Sequence, residues 1–121
     1  MFVSFAELPV FDQPRARASY VDKFGCEVVA DAPMGAGDWR WIEVRFPSAQ
    51  TALHFVRREN DAPSQGPVLV FMAEDLPSTV RDLASKGVAI VTDVGPAPWD
   101  PRRQVAEIDD SEGNRIVIAS R

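Results

Sequence analysis

The sequence predicts an α+β fold built from two βαβββ modules within a single domain of 121 residues. Three observations predict it: the chain repeats itself, each repeat has the same helix-start signal, and the segments after each helix alternate apolar and polar residues. With 45% hydrophobic and 26% charged residues, the composition is typical of a globular protein and argues against disorder or a coiled coil.

The internal repeat has a spacing of 63 residues, because Asp12-Gln13-Pro14 recurs as Asp75-Leu76-Pro77. Further along, Leu53-His54-Phe55 has the same spacing from Ile116-Val117-Ile118. A shared pattern G-x-x-[VI]-V-x-D begins at Gly25 and again at Gly87. The repeat predicts a first module at 1–58, a polar linker at 59–66 and a second module at 67–121.

Each module is expected to begin with a strand and continue into a helix. Asp12 and Asp75 suit the N-cap, because a carboxylate accepts hydrogen bonds from the free N–H groups of the first turn. A glycine can take the left-handed conformation that ends each helix. The predicted first strands are Val3–Val10 and Pro67–Ala73. The first helix ends at Gly25 and buries Ala16, Tyr20 and Phe24, and the second ends at Gly87 and buries Val80, Leu83 and Ala84. The strands that follow are Glu27–Ala30, Trp39–Phe46 and Ala52–Val56 in the first module and Ala89–Thr92, Gln104–Ile108 and Arg115–Ala119 in the second.

The loops differ in composition and so in predicted role. Asp109–Asn114 has the residues of a tight turn between antiparallel strands. Asp31–Asp38 and Val94–Arg103 are rich in glycine and proline, and we expect them to form mobile flaps.

Charge and cysteine content exclude several function classes. Thirteen basic and eighteen acidic residues give a formal charge of −5, which argues against nucleic acid and fits a neutral or cationic small molecule better. Cys26 is the only cysteine, so an intrachain disulfide and a zinc site of several thiolates are excluded. Neither a signal peptide nor a membrane span is recognisable, and we expect a cytoplasmic protein with no membrane partner.

Several short motifs occur in the order of a known family: Asp12-x-Pro14 before a helix that ends Lys23-Phe24-Gly25, then Pro98-Trp99, then Asp110-Ser111-Glu112-Gly113-Asn114. In this the whole chain resembles the vicinal oxygen chelate superfamily, which includes glyoxalase I, bleomycin-resistance proteins and extradiol dioxygenases. The resemblance implies two modules with curved mixed sheets that enclose a cleft, with the helices on the convex side. It also implies a homodimer.

The resemblance also locates the metal ligands of metal-dependent members, which correspond here to Phe5, His54, Val68 and Val117. Of these four side chains only that of His54 has a lone pair for a metal ion. We therefore expect no metal site and no cofactor. The alternative is a strand shifted by two residues, which would bring Glu7 beside His54 to hold one divalent metal ion.

Alternation along the strands predicts which side chains face the cleft. The helices should cover Ile42, Val44, Leu53, Phe55, Leu69, Phe71, Ile116 and Ile118, so the opposite parity lines the cleft. The candidate ligand-binding residues are Phe5, Trp41, Glu43, Arg45, His54, Val68, Met72, Trp99 and Gln104.

The polar side chains expected on the cleft face determine what chemistry is possible there. An imidazole can give or take a proton near neutral pH, so His54 and Glu7 are the candidate catalytic residues. The alternative is a hydrogen-bonded histidine with a purely structural role. Glu43 could pair with Arg45 or orient a cationic ligand, and Trp41 and Trp99 offer flat surfaces for an aromatic or cationic one.

Three functions remain open. The first is a metal-free homodimer that binds or sequesters a small molecule, as bleomycin-resistance proteins do. The second is a lyase, isomerase or dioxygenase that uses His54 and Glu7, with or without a metal ion. The third is a protein-interaction module with a filled cleft. The sequence leaves open whether any reaction is catalysed, and the missing metal ligands favour binding.

Overall fold

The computed structural model describes all 121 residues and has the predicted βαβββ order twice. The chain divides into two compact units, Met1–Asp61 and Ala62–Arg121. The elements of the first unit are β1 (Phe5–Val10), α1 (Gln13–Asp22), β2 (Glu27–Pro33), β3 (Arg40–Arg45) and β4 (Ala52–Arg57). Those of the second are β5 (Pro67–Ala73), α2 (Leu76–Ser85), β6 (Ala89–Ala97), β7 (Asp100–Asp109) and β8 (Arg115–Ser120).

Each unit forms one four-stranded mixed sheet. The strand order is β1-β4-β3-β2 in the first unit and β5-β8-β7-β6 in the second. The first and last strands of each unit pair in parallel, and the other pairs are antiparallel. The α+β class and the two-module arrangement predicted from the sequence are therefore confirmed.

The two helices begin where the sequence indicated and end shortly before the predicted glycines. The prediction that α1 buries Phe24 was wrong, because α1 ends at Asp22 and Phe24 is half-buried in the turn that follows. Asp12 Oδ1 accepts a hydrogen bond from the backbone N–H of Arg15 at 3.0 Å, and Asp75 Oδ1 accepts one from that of Ser78 at 3.1 Å. Gly25 and Gly87 have φ angles of 76° and 84°, in the left-handed region where a side chain would clash with the backbone.

One face of each sheet packs against its helix. In the first unit the ring of Tyr20 on α1 lies 6.2 Å from that of Phe55 on β4. In the second unit the buried α2 residues are Leu76, Val80 and Leu83. The prediction that Ala84 is buried was wrong, because Leu76 starts a stripe at i, i+4 and i+7 that leaves Ala84 on the exposed side. Neither helix is long and apolar enough to cross a membrane.

The prediction that Val94–Arg103 forms a mobile flap is also wrong. Most of Val94–Arg103 belongs to β6 and β7, which form one long hairpin with Pro98 and Trp99 at its turn. Irregularities in the pairing at Ile90/Thr92, Thr92/Gly95 and Pro96/Ala97 let the ladder accommodate glycine and proline. In the first unit β2 extends to Pro33, and the connecting loop before β3 is shorter than predicted.

Candidate ligand-binding site

Three strands of the first sheet bring two carboxylates and the single histidine into one row. Parallel pairing places Glu7 of β1 beside His54 of β4, and antiparallel pairing places Glu43 of β3 on the other side of His54. Because Leu8, Val44 and Leu53 have the opposite parity and are buried, this row lies on the face away from α1. We call it the helix-free face of the first sheet.

His54 and Glu7 form a hydrogen-bonded pair on this face. His54 Nδ1 lies 2.9 Å from Glu7 Oε2, and the imidazole side chain is 9% exposed against 51% for the carboxylate. The pairing register accounts for the contact, since the two residues are direct neighbours across a parallel pair. Both candidate catalytic residues predicted from the sequence are thus brought together.

Two aromatic side chains pack against the imidazole, one stacked on its face and one edge-on. Trp41 stacks on His54 with ring centroids 3.8 Å apart and planes 27° apart. Phe5 meets the imidazole edge-on at 5.3 Å and the indole edge-on at 5.8 Å. Aromatic pairs in such geometries are each worth about 0.5–1.5 kcal/mol beyond the area they bury. Phe5, Trp41 and His54 form what we call the ring cluster.

Trp41 is held by Glu43. The indole Nε1–H donates a hydrogen bond to Glu43 Oε2 at 2.7 Å, and the two residues are two apart on β3. Glu43 therefore binds Trp41 and forms no ion pair with Arg45, which occupies the next position of the same face. The carboxylate orients the indole that covers the imidazole.

The second ring nitrogen of His54 has no partner. His54 Nε2 is buried and makes no hydrogen bond, although the residue as a whole is 7% exposed. A buried polar atom left unsatisfied costs about 1–3 kcal/mol, and such atoms are uncommon in folded proteins. The ring cluster therefore contains one buried polar atom without a partner in the chain.

The residues at the family's metal positions do not fit a metal ion. Phe5, Val68 and Val117 have hydrocarbon side chains, which offer no lone pair to a cation. His54 uses Nδ1 for Glu7, and its Nε2 is enclosed. The alternative donor, Glu7, does lie beside His54, so these two side chains are the candidate donors. The chain has no group of three or more His, Cys, Asp or Glu side chains placed to hold a metal ion.

On the matching face of the second sheet, the side chains of β5 are apolar. Val70 pairs with Val117 and Met72 with Ala119 in the parallel register of β5 and β8. Val68, Val70 and Met72 are exposed by 37%, 55% and 51%, whereas Val117 is buried. Trp99, 58% exposed, lies at the turn of the β6–β7 hairpin.

The prediction that Gln104 faces the cleft is wrong. Ala106 pairs with Ile118 and Ile108 with Ile116, so the even-numbered residues of β7 lie on the side of α2. Gln104 shares that parity, and its backbone N–H bonds Ser120 Oγ at 3.0 Å. Counting Ile108 with the other buried isoleucines would have set this parity correctly from the sequence.

The same error of parity left Glu107 out of the residues predicted to line the cleft. Glu107 lies opposite Val117 on the helix-free face of the second sheet. Its carboxylate lies 3.5 Å from Arg115 Nη1 and 3.3 Å from Thr92 Oγ1. Arg115 bonds Asp109 more closely, at 2.9 Å, and these contacts raise the pKa of its guanidinium. The acidic groups of this face are thereby engaged within their own sheet.

Solved structures share this fold over nearly the whole chain. The antibiotic-binding protein TnmS3 from Streptomyces sp. CB03234 is 28% identical, covers 99% of this chain and 95% of its own, and superposes with a TM-score of 0.83. A member of the Glyoxalase/bleomycin resistance protein/dioxygenase superfamily from Sphaerobacter thermophilus DSM 20745 is 23% identical. It superposes with a TM-score of 0.84 and covers 100% of this chain and 98% of its own.

A relative is also found by sequence. Uncharacterized protein YetH of Bacillus subtilis (strain 168) is 26% identical over 111 residues, which is 90% of this chain and 89% of that protein. The family model described as Glyoxalase/Bleomycin resistance protein/Dioxygenase superfamily matches residues 3–118. Together with the paired βαβββ units, this match shows that the chain belongs to the Glyoxalase/Bleomycin resistance protein/Dioxygenase superfamily.

Proposed function

We propose that this protein binds a small aromatic molecule without a metal ion, using the helix-free face of the first sheet. The observation that carries the proposal is the ring cluster, in which Trp41 stacks on His54 at 3.8 Å with Phe5 against both rings. Small-molecule sites combine apolar and aromatic surface with a few oriented polar groups. Glu7 and Glu43 supply such groups on either side of His54.

Two further observations support binding. Hydrocarbon side chains stand at three of the four positions that the family resemblance assigns to metal ligands, and such side chains offer a metal ion no lone pair. TnmS3, at 28% identity, is described as an antibiotic-binding protein, and its likeness supports a small organic ligand here.

An NMR titration tests the proposal with planar aromatic compounds and their ring-saturated counterparts. The chain has three tryptophans and one histidine, so each indole N–H and the imidazole give separable signals. We expect aromatic compounds to shift the Trp41 and His54 signals and saturated ones to leave them in place. Protein stripped with a chelator should respond identically, and elemental analysis should find no stoichiometric metal.

Other outcomes would reject the proposal. A requirement for added divalent ions would favour the metal-dependent alternative. No response to any compound of a broad panel would favour a protein-interaction module whose cleft is filled.

The His54–Glu7 pair favours a second candidate function, an enzyme of the lyase or isomerase kind that transfers protons. A carboxylate that holds an imidazole at 2.9 Å is an arrangement used for general acid–base catalysis. Bound compounds should then be converted to isomers or cleavage products detectable by mass spectrometry. Replacing His54 with Gln would abolish conversion while leaving a dissociation constant measurable, whereas a pure binding protein shows no conversion at all.

We also propose a cytoplasmic homodimer in which each chain is one domain with the linker 59–66. The division of the chain between Asp61 and Ala62 falls within that linker, and the exposed Val70 and Met72 give a second chain apolar surface to cover. The single, buried Cys26 suits a reducing compartment. Sedimentation equilibrium tests the dimer directly, and a monomer at micromolar concentration would reject it.

A further inference from the structure

Glu7 determines which nitrogen of His54 carries the proton of the neutral ring. A carboxylate oxygen only accepts hydrogen bonds, so the 2.9 Å contact between Glu7 Oε2 and His54 Nδ1 requires the N–H to be on Nδ1. A neutral imidazole has one N–H, and Nε2 is left with its lone pair. His54 Nε2 is therefore a hydrogen-bond acceptor.

This acceptor is buried within the ring cluster and has no donor in the chain. The imidazole face is covered by Trp41, whose hydrogen bond to Glu43 lies within its own strand. Access of a ligand ring to this face requires Trp41 to rotate away, which breaks its hydrogen bond to Glu43 but no backbone pairing of β3 with β4. A flat ring that replaces the indole would lie beside an acceptor that still requires a donor.

We propose that the ligand is a hydroxylated aromatic compound whose neutral O–H, or an equivalent ring N–H, donates to His54 Nε2. This inference rests on the proposed function and narrows the ligand from any aromatic molecule to one with a neutral donor. The ligand ring takes the position of the Trp41 indole on His54, and its hydroxyl satisfies the lone pair that Glu7 directs toward it.

A cationic amine suits this position less well. Glu7 already accepts from His54, and Glu43 already accepts from Trp41. An ammonium group placed at the enclosed Nε2 would lose much of its hydration and find one neutral acceptor there. A neutral hydroxyl loses far less on burial, because only a charged group carries the large desolvation cost.

The test uses three naphthalene probes that share one ring system: 2-naphthol, its methyl ether 2-methoxynaphthalene, and 2-naphthylmethylamine as the cation. Long-range proton–nitrogen NMR on the single histidine reports the protonation of each ring nitrogen before and after binding. We expect the free protein to carry its proton on Nδ1. We also expect 2-naphthol to bind at least roughly tenfold more tightly than the ether, because a site that hydrogen-bonds a hydroxyl rejects the analogue lacking it.

Binding of 2-naphthol should shift the His54 Nε2 resonance toward the value of a hydrogen-bonded acceptor and move the Trp41 indole signal. Glu7→Gln should reduce the preference for naphthol over the ether, because a glutamine amide can donate as well as accept and no longer enforces the tautomer. Glu74→Gln is the matched control, since Glu74 is an exposed partner of Arg121 in the second unit.

Several results would overturn the inference while leaving the proposed function intact. They are a proton on Nε2 in the free protein, equal affinity for naphthol and its ether, or tighter binding of the amine. Failure of all three probes to shift Trp41 or His54 would also overturn it, and the wider aromatic panel would then decide the proposed function separately.

Discussion

Glu107 occupies in the second sheet the position that Glu43 occupies in the first. Glu43 pairs with His54 across β3 and β4, and Glu107 pairs with Val117 across β7 and β8. The loop between these strands is one residue longer in the first unit, so the two glutamates are 64 rather than 63 residues apart. Glu43 holds Trp41, while Glu107 lies near Arg115. The equivalent glutamates thus have different partners in the two units, an indole in the first and a guanidinium in the second.

The Trp41 indole should compete with the ligand for the face of His54. We expect Trp41→Phe to tighten 2-naphthol binding about twofold to tenfold, because a phenyl ring lacks the hydrogen bond to Glu43 that holds the indole in place and is displaced more easily. Isothermal titration calorimetry measures the change. Trp39→Phe is the matched control, since Trp39 lies outside β3 and contacts Arg57 instead. Weaker or unchanged binding in Trp41→Phe, or an equal gain in both variants, would contradict displacement of the Trp41 indole by the ligand.

Asp110 should stabilise the β7–β8 hairpin. Its Oδ1 accepts from the backbone N–H groups of Glu112 and Asn114 at 2.8 and 2.9 Å, and its Oδ2 accepts from Asn114 Nδ2 at 3.0 Å. We expect Asp110→Ala to lower the free energy of unfolding by about 2–4 kcal/mol, since three buried donors lose their acceptor.

The neighbouring Asp109 provides the comparison for that hairpin. It forms a partly exposed ion pair with Arg115, so Asp109→Ala should cost less than about 1 kcal/mol. Urea denaturation of the two variants measures both changes. A cost for Asp110→Ala no larger than that for Asp109→Ala would show that the buried carboxylate does not organise the turn.

Cys26 should be unreactive in the native protein. It is buried, and burial raises the pKa of its thiol to about 12 from 9.0. A thiol with a raised pKa is almost entirely protonated at pH 8, and only the thiolate is nucleophilic. A disulfide reagent added at pH 8 should therefore label the protein only after unfolding in urea. Rapid labelling of the native state would contradict this prediction.

The Cys26 thiol should also make the free energy of unfolding depend on pH in the alkaline range. Between about pH 9 and 12 the unfolded thiol loses its proton while the native one keeps it, so the unfolded state binds fewer protons. The free energy of unfolding should therefore decrease as pH rises through this range. Cys26→Ala should flatten that part of the pH profile, and an unchanged slope would assign it to other groups.

Two glycines with similar positive φ angles should differ in how well they tolerate replacement by alanine. Gly25 and Gly113 have φ angles of 76° and 74°, but an added Cβ meets nothing within 4 Å at Gly25 and lies 3.1 Å from Pro63 Cα at Gly113. We expect Gly25→Ala to cost about 1–2 kcal/mol from backbone strain, and Gly113→Ala to cost more. Thermal unfolding compares them, and equal costs would contradict a close approach at Pro63.

The sequence by itself determined the βαβββ order, the helix starts and most of the buried face. These features depend on local rules: Asp75 caps its own helix, and the alternation of Leu53 and Phe55 with His54 fixes which side each occupies. It also determined that Phe5, Val68 and Val117 cannot bind a metal ion, because that follows from residue type alone.

Only the tertiary structure decided how the site residues meet. Glu7 and His54 are 47 residues apart, and their 2.9 Å contact exists because β1 pairs with β4 in one particular register. The stacking of Trp41 on His54 and the burial of Nε2 likewise depend on three strands at once.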